Sequence, residues 1–369
     1  MATDPSWPSE PAGRYSLSTL LAPAALMRLG IIALALLGVA SAFAWTAGWL
    51  SPGRLDQVRL IDTFEAVNGA HPGFRRNHAK GVCLVGWFDS SGAGARLSGA
   101  AVFAAGRIPV VGRLSIVGPS PEVADGSEAV RSMALDFTLP DGEAWRTSMN
   151  DLPVFPVKDA QGFYEQLVAL KPDPATGKPD PARVEAFLSA HPEAARAIAL
   201  IKGAPSSSGF ANATYNGLNA FRFVDADGKA TPVRWSMRPV DAFEPGPAET
   251  PREKNYLFDA LAARLRQGPA QWHLILVIGQ PGDPTSDATL PWSADRETID
   301  AGTLTVAAIE SEAVGNCRDI EFDPLVLPSG IEPSDDPMLS ARSAAYSVSF
   351  TRRAGETKTP STVQVGRGR

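Results

Sequence analysis

Arg75-Arg76-Asn77-His78-Ala79-Lys80-Gly81-Val82-Cys83-Leu84-Val85-Gly86-Trp87-Phe88 is the stretch around which the chain is organised. A polar cluster ends in His78, a small-residue turn follows, and an apolar run begins. Val82 to Phe88, marked by Gly81 and Gly86, reads as a buried strand. His78 therefore sits just before a core strand and is expected to point into the fold. It is one of four histidines, and the one with arginines before it and Ala-Lys-Gly after it. On residues alone, such a histidine suits a satisfied structural role as well as a catalytic one.

Upstream, Leu55, Val58, Ile61, Phe64 and Val67 recur at helical spacing, so an amphipathic helix leads into this stretch. Residues 1–28 are polar and Pro-rich, then increasingly apolar, with Arg14 and Arg28 as their basic residues. From Leu29 to Gly53 there is no charge, which is long enough to span a bilayer. A cleaved signal sequence is the rival, with Ala40-Ser41-Ala42 or Ala42-Phe43-Ala44 as its cleavage box. The length beyond Ala44, with Trp45 and Trp49 near one end, favours a retained anchor with the main domain outside or in the periplasm.

Downstream, Leu97 to Val117 reads as two strands around Ala105-Gly106-Arg107, and Arg131 to Leu139 as a third. Asp141-Gly142 signals a hairpin into a strand that ends near Asn150. Asp159 caps one helix, and Asp180-Pro181 starts another that Gly203 stops. Asn219 to Met237 reads as a hairpin, Asn255 to Arg266 as a helix, and His273 to Ile278 and Thr303 to Ile309 as strands. Arg342, Tyr346 and Arg353 fall at intervals of four and seven, which is one face of a helix. Residues 355–369 carry little apolar content and are expected to form a disordered tail.

The 369 residues suit one large domain or two small ones, with an ordinary globular composition. A net charge of −6 gives no basic footprint for nucleic acid. Two cysteines, Cys83 and Cys317, form no metal-binding or disulfide-scaffold pattern. A single disulfide between them is one alternative. Because Cys83 lies in the buried run, a small buried thiol is the expectation.

Five stretches in collinear order resemble the haem catalases, over roughly residues 55–355. His78-Ala79-Lys80-Gly81 resembles the distal-histidine motif. Pro109 to Ser115 is similar to the strand carrying a haem-propionate arginine, here Arg113, and a serine that braces the distal histidine, here Ser115. Ser148 to Asp159 resembles the distal-asparagine motif, with Asn150 in register and Phe163 where a phenylalanine stacks near the haem. Glu321-Phe322-Asp323-Pro324-Leu325 and Gly330 to Leu339 resemble the approach to the proximal helix, on which Tyr346 matches the iron ligand. The sequence stops after that helix, as the small catalase-related peroxidases do.

This resemblance implies an α+β fold: a catalase-like antiparallel β-barrel with inserted and appended helices, preceded by an N-terminal transmembrane helix. The haem domain would cover residues 54–354. Haem b would be the cofactor, with Tyr346 on iron as phenolate and Arg342 supplying a cation one turn away. Arg75, Arg113 and Arg353 match the positions that pair with propionates. His78, Asn150 and Ser115 would be catalytic, with peroxide cleaved to an oxoferryl species. Three functions follow. A peroxidase would use peroxide and a small organic electron donor; a true catalase would disproportionate hydrogen peroxide; a haem-binding or structural barrel would not turn over. A fatty-acid hydroperoxide isomerase is a related enzyme on this fold. Some positions depart from the family pattern. Asn77 replaces an apolar residue, Asp151 an asparagine and Leu152 a threonine. Ala129, beside Glu128, stands where a channel aspartate is expected, and Ser347-Val348-Ser349 follows the tyrosine.

Overall fold

The computed structural model describes residues 23–46, 49 and 55–365. The chain divides into a unit of Met1–Leu55 and a unit of Asp56–Arg369. In the first, helix α1 (Pro23–Thr46) has no buried residue and is long and apolar enough to cross a membrane. It begins earlier than the uncharged run, because Pro23 is tolerated at a helix start and Ala24-Ala25-Leu26-Met27 are strong helix formers. The remainder of the anchor expectation, residues 47–53, lies outside the described residues except for Trp49, as does the segment before Pro23.

The second unit is built on eight antiparallel strands: β1 (Gly81–Ser90), β2 (Gly106–Ile116), β3 (Arg131–Thr138), β4 (Ala144–Asn150), β5 (Tyr215–Val224), β6 (Ala230–Pro239), β7 (Ala270–Ile278) and β8 (Thr298–Ser311). They run in the order β4-β3-β2-β1-β8-β7-β6-β5, and a pairing of β4 with β5 at Asn150 and Asn216 closes the barrel. A short β9 (Ile331–Pro333) adds to β5. The interior is filled by apolar and aromatic side chains, among them Leu84, Phe88, Phe137, Trp145, Phe223 and Trp272, all fully buried.

Helices pack at one end. Helix α2 (Gln57–Asn68) starts where Asp56 accepts a hydrogen bond from the Arg59 N–H, and it buries Leu60, Ile61 and Phe64. Helices α3 (Ala160–Ala169), α4 (Pro181–Ala190) and α5 (Pro192–Gly203) form the insertion, and α6 (Tyr256–Leu265) crosses later. Helix α7 (Pro337–Ala354) is capped by Asp336, which accepts from the Met338 N–H. One helix was expected from Asp180 to Gly203, but the chain breaks at His191 because Pro192 disfavours a helical residue before it. Within residues 97–105 there is no strand: Ala101–Phe103 form a 3-10 turn that buries Val102 and Phe103, and the rest is irregular.

Two expectations about the chain ends and the cysteines are corrected. Cys83 and Cys317 are joined in a disulfide, with Cα atoms 5.3 Å apart. The cause is tertiary: Cys83 lies opposite Glu310 on β8, and the chain leaving β8 doubles back over β1. Residues 356–365 are not a loose tail. Val363 is buried, Thr362 donates to the Pro121 carbonyl at 2.7 Å, and the Thr359 carbonyl accepts from Arg318 at 2.6 Å. The anchoring partners are remote in sequence, so low apolar content alone suggested mobility. Residues 366–369 lie outside the described residues.

Candidate active site

Between the barrel and helices α2, α3 and α7 lies a cavity that opens to solvent. All nine residues singled out in the sequence line it: Arg75, His78, Arg113, Ser115, Asn150, Phe163, Arg342, Tyr346 and Arg353. Sheet register explains how four strands contribute to one wall. Ser115 on β2 lies opposite Ser132 on β3, which lies opposite Asn150 on β4, which lies opposite Asn216 on β5. Residues directly opposite in a sheet share a face, so these four polar side chains form a row along the cavity.

His78 enters from the turn before β1 with φ 56, the one non-glycine residue with positive φ among the described residues. That conformation costs roughly 1–2 kcal/mol for an L-residue. Burial, then the cations Arg113, Arg342 and Arg75, push its pKa down from 6.5 to about 3. The ring is therefore neutral at pH 7 and able to accept a proton. By linkage, the unfolded chain takes up the proton first. This residue's contribution to stability is complete above about pH 6.5 and is lost as pH falls toward 3. Ser115 makes no hydrogen bond to His78 among the described residues. Asn150 Oδ1 accepts from the Leu152 N–H at 3.1 Å, which leaves its Nδ2 amide as a donor toward the cavity.

On α7, Met338, Ala341, Arg342, Ala345, Tyr346 and Ser349 face the cavity. The small residues Ala341, Ala345 and Ser349, one turn apart, leave a shallow bed beside Tyr346. The Tyr346 hydroxyl has no protein hydrogen bond among the described residues. Arg342, one turn before it, donates to Asn219 Oδ1 at 2.5 Å, and Asn219 donates to the helix-capping Asp336 at 2.7 Å. The cation is thus held in place without occupying the tyrosine oxygen.

A third corner gathers arginines. Glu312 accepts two bonds from Arg113, at 2.7 and 3.0 Å, and one from Arg75 at 3.0 Å. Arg75 also donates to the carbonyls of Cys317 and Ile320, at 3.1 and 2.9 Å. Gly81 permits this, because a Cβ there would lie 2.6 Å from the Arg113 guanidinium. Arg353 is buried yet forms no ion pair or side-chain hydrogen bond among the described residues. Burial, then Arg113, lower its pKa to about 10. Burial works against the charged Glu312, but Arg113 and Arg75 outweigh it and hold its carboxyl below the usual range. Three guanidinium charges face one carboxylate, an excess of two positive charges that two ligand carboxylates would neutralise.

The cavity therefore fits a large apolar disc bearing two carboxylates, with a phenol oxygen on one side and a neutral imidazole beside a row of polar donors. Sequence reading missed Glu312, Ser132 and Asn216. The Ser132 hydroxyl is buried and has no partner. None of the three lies in a local motif, and only the sheet register brings them in. Two departures are structural. Asp151 pairs with Arg131 at 3.2 Å, while Ala129 and the exposed Glu128 do not line the cavity.

Residues 41–360 match the catalase family. The chain belongs to that family. It is 37% identical over 331 residues to the catalase-related peroxidase of Synechococcus elongatus, covering 87% of this chain and 95% of that one. To the catalase-related peroxidase of Mycolicibacterium paratuberculosis it is 35% identical over 308 residues, covering 82% and 96%. A fungal catalase crystal structure superposes with a TM-score of 0.70 at 19% identity, covering 82% of this chain and 63% of that chain. Membership of the catalase family implies a haem cofactor, and the donor set of the cavity fits one.

Proposed function

We propose that this protein is a haem peroxidase that reduces hydrogen peroxide or organic peroxides with electrons from a small organic donor. The observation that carries this reading is the convergence of Tyr346, neutral His78 and the unpaired Arg353 on one cavity. Tyr346 would ligate the iron of haem b through its phenolate, with the Arg342 cation favouring that anion. Arg353, with Arg75 and Arg113, would hold the two propionates. Phe163, which packs on Phe64 with ring centres 5.6 Å apart, would cover part of the macrocycle.

Bound haem would supply a ferric Lewis acid and the redox centre for O–O cleavage. The chain's own residues handle the protons and the geometry. His78 accepts the proton from peroxide and returns it to the departing oxygen, which leaves as water or as an alcohol. The Asn150 Nδ2 amide donates to a peroxide oxygen and orients it, and Ser115 lies in the polar row that lines the cavity. Two electrons from the donor, together with two protons, would release the second peroxide oxygen as water and complete the cycle.

Peroxidase activity is favoured over catalase activity because the two catalase-related peroxidases are 35–37% identical to this chain, whereas a catalase of Pseudomonas syringae is 28% identical. At equal peroxide, oxidation of a phenolic dye per haem is expected to exceed oxygen release. Dominant oxygen release, with dye oxidation at the free-haem rate, would make this a small catalase. Absence of a Soret band in protein purified from haem-replete cells would leave only a structural barrel without turnover.

We also propose that α1 anchors the protein with the haem domain in the periplasm or outside the cell. The apolar helix and the Cys83–Cys317 disulfide, a bond that persists in oxidising compartments, support this. A topology reporter fused after Arg369 is expected to read out externally. Fractionation as soluble cytoplasmic protein with an intact N-terminus would contradict the assignment.

A further inference from the structure

We propose that Asn77 is a positioning residue whose side-chain oxygen clasps the backbone around His78 and holds it in the left-handed conformation that aims the imidazole into the cavity. The inference rests on the acid–base role proposed for His78.

Asn77 Oδ1 accepts two hydrogen bonds, from the His78 N–H at 2.9 Å and from the Gly118 N–H at 3.0 Å. A carbonyl oxygen has two lone pairs, so both are met. The Ala79 N–H in turn donates to the Gly118 carbonyl at 2.9 Å. The turn at residues 77–79 is thereby tied to the segment leaving β2 by bonds running in both directions. On the other side of His78, Lys80 is fixed deep in the fold. Its Nζ donates to Asp125 at 2.6 Å and to the Val123 and Lys254 carbonyls at 2.8 and 2.9 Å.

His78 is therefore suspended between two anchored neighbours at φ 56, a conformation that histidine does not favour by itself. The Ser115 hydroxyl does not bond the imidazole, so the backbone clasp is what sets the ring's direction. In this chain, alanine at 77 would leave the His78 and Gly118 amides without this acceptor and free the turn to move. Aspartate keeps an acceptor oxygen in the same place.

The test uses the full chain carrying Asn77→Ala or Asn77→Asp. With only four histidines, histidine-selective isotope labelling resolves each Cα signal, and the loss of one signal in His78→Ala assigns it. In haem-free protein, Asn77→Ala is expected to move the His78 Cα signal away from its left-handed position, and Asn77→Asp to retain it. In haem-loaded protein, Asn77→Ala is expected to keep the haem spectrum but react with peroxide about tenfold more slowly, as misplacement of a catalytic group does. Asn77→Asp should recover most of that rate. An unmoved His78 signal in Asn77→Ala, or a wild-type peroxide rate, would overturn the proposal. Should Asn77→Ala not fold, a displaced His78 signal in Asn77→Asp would overturn it and a retained one would support it. If the wild type binds no haem, the peroxidase reading fails while the haem-free measurement still decides the clasp.

Discussion

Tyr346→Phe is expected to abolish the high-spin ferric phenolate spectrum of the purified protein, and with it most or all of the bound haem. The argument is chemical. The substitution removes one oxygen and leaves the ring, the helix and the small-residue bed of Ala341, Ala345 and Ser349 in place. Folding should be unaffected, because the Tyr346 hydroxyl holds no protein hydrogen bond among the described residues. Arg342 remains fixed by Asn219, so any change in the spectrum reports the lost ligand and not a displaced cation. A folded variant with an unchanged charge-transfer band would show that iron is ligated elsewhere.

The second large effect is at His78. His78→Ala should retain haem yet react with peroxide at least about a hundredfold more slowly, the usual worth of a positioned acid–base group. Asn150→Ala should cost less, because it removes a donor that orients peroxide but moves no proton. The pH dependence reports the basicity of the imidazole. A pKa lowered to about 3 keeps the imidazole neutral across the ordinary range. The rate of peroxide reaction is therefore expected to be flat from about pH 5 to pH 8, with no inflection at the usual histidine pKa, and to fall only in stronger acid. A wild-type rate in His78→Ala would remove the assignment, whereas a rate that halves near pH 6.5 would show that the imidazole titrates at its ordinary value in the working site.

The local motifs were legible in the sequence. His78, Arg113, Asn150, Phe163 and Tyr346 each lie within a short segment whose residue order carries the resemblance, and all line one cavity. Alternation and turn residues marked most strands, because a half-buried strand must alternate whatever it pairs with. Arg342, Tyr346 and Arg353 fell on one helical face from spacing alone.

What the sequence could not decide depends on partners far away along the chain. Glu312 joins Arg75 and Arg113 across more than 190 positions, because β8 pairs with β1 and delivers the segment after Ser311 to that corner. The same pairing brings Cys317 to Cys83, which the sequence had suggested was a free thiol. Ser132 and Asn216 enter the polar row only through cross-strand register, which barrel closure at Asn150 sets. Asn77 looked like a departure from a motif, and its two hydrogen bonds exist only because the chain after β2 passes beside it. Periodicity and motif order are properties of neighbours along the chain. Charge balance, disulfide pairing and the backbone strain at His78 arise when closure of the barrel brings distant segments within hydrogen-bond reach.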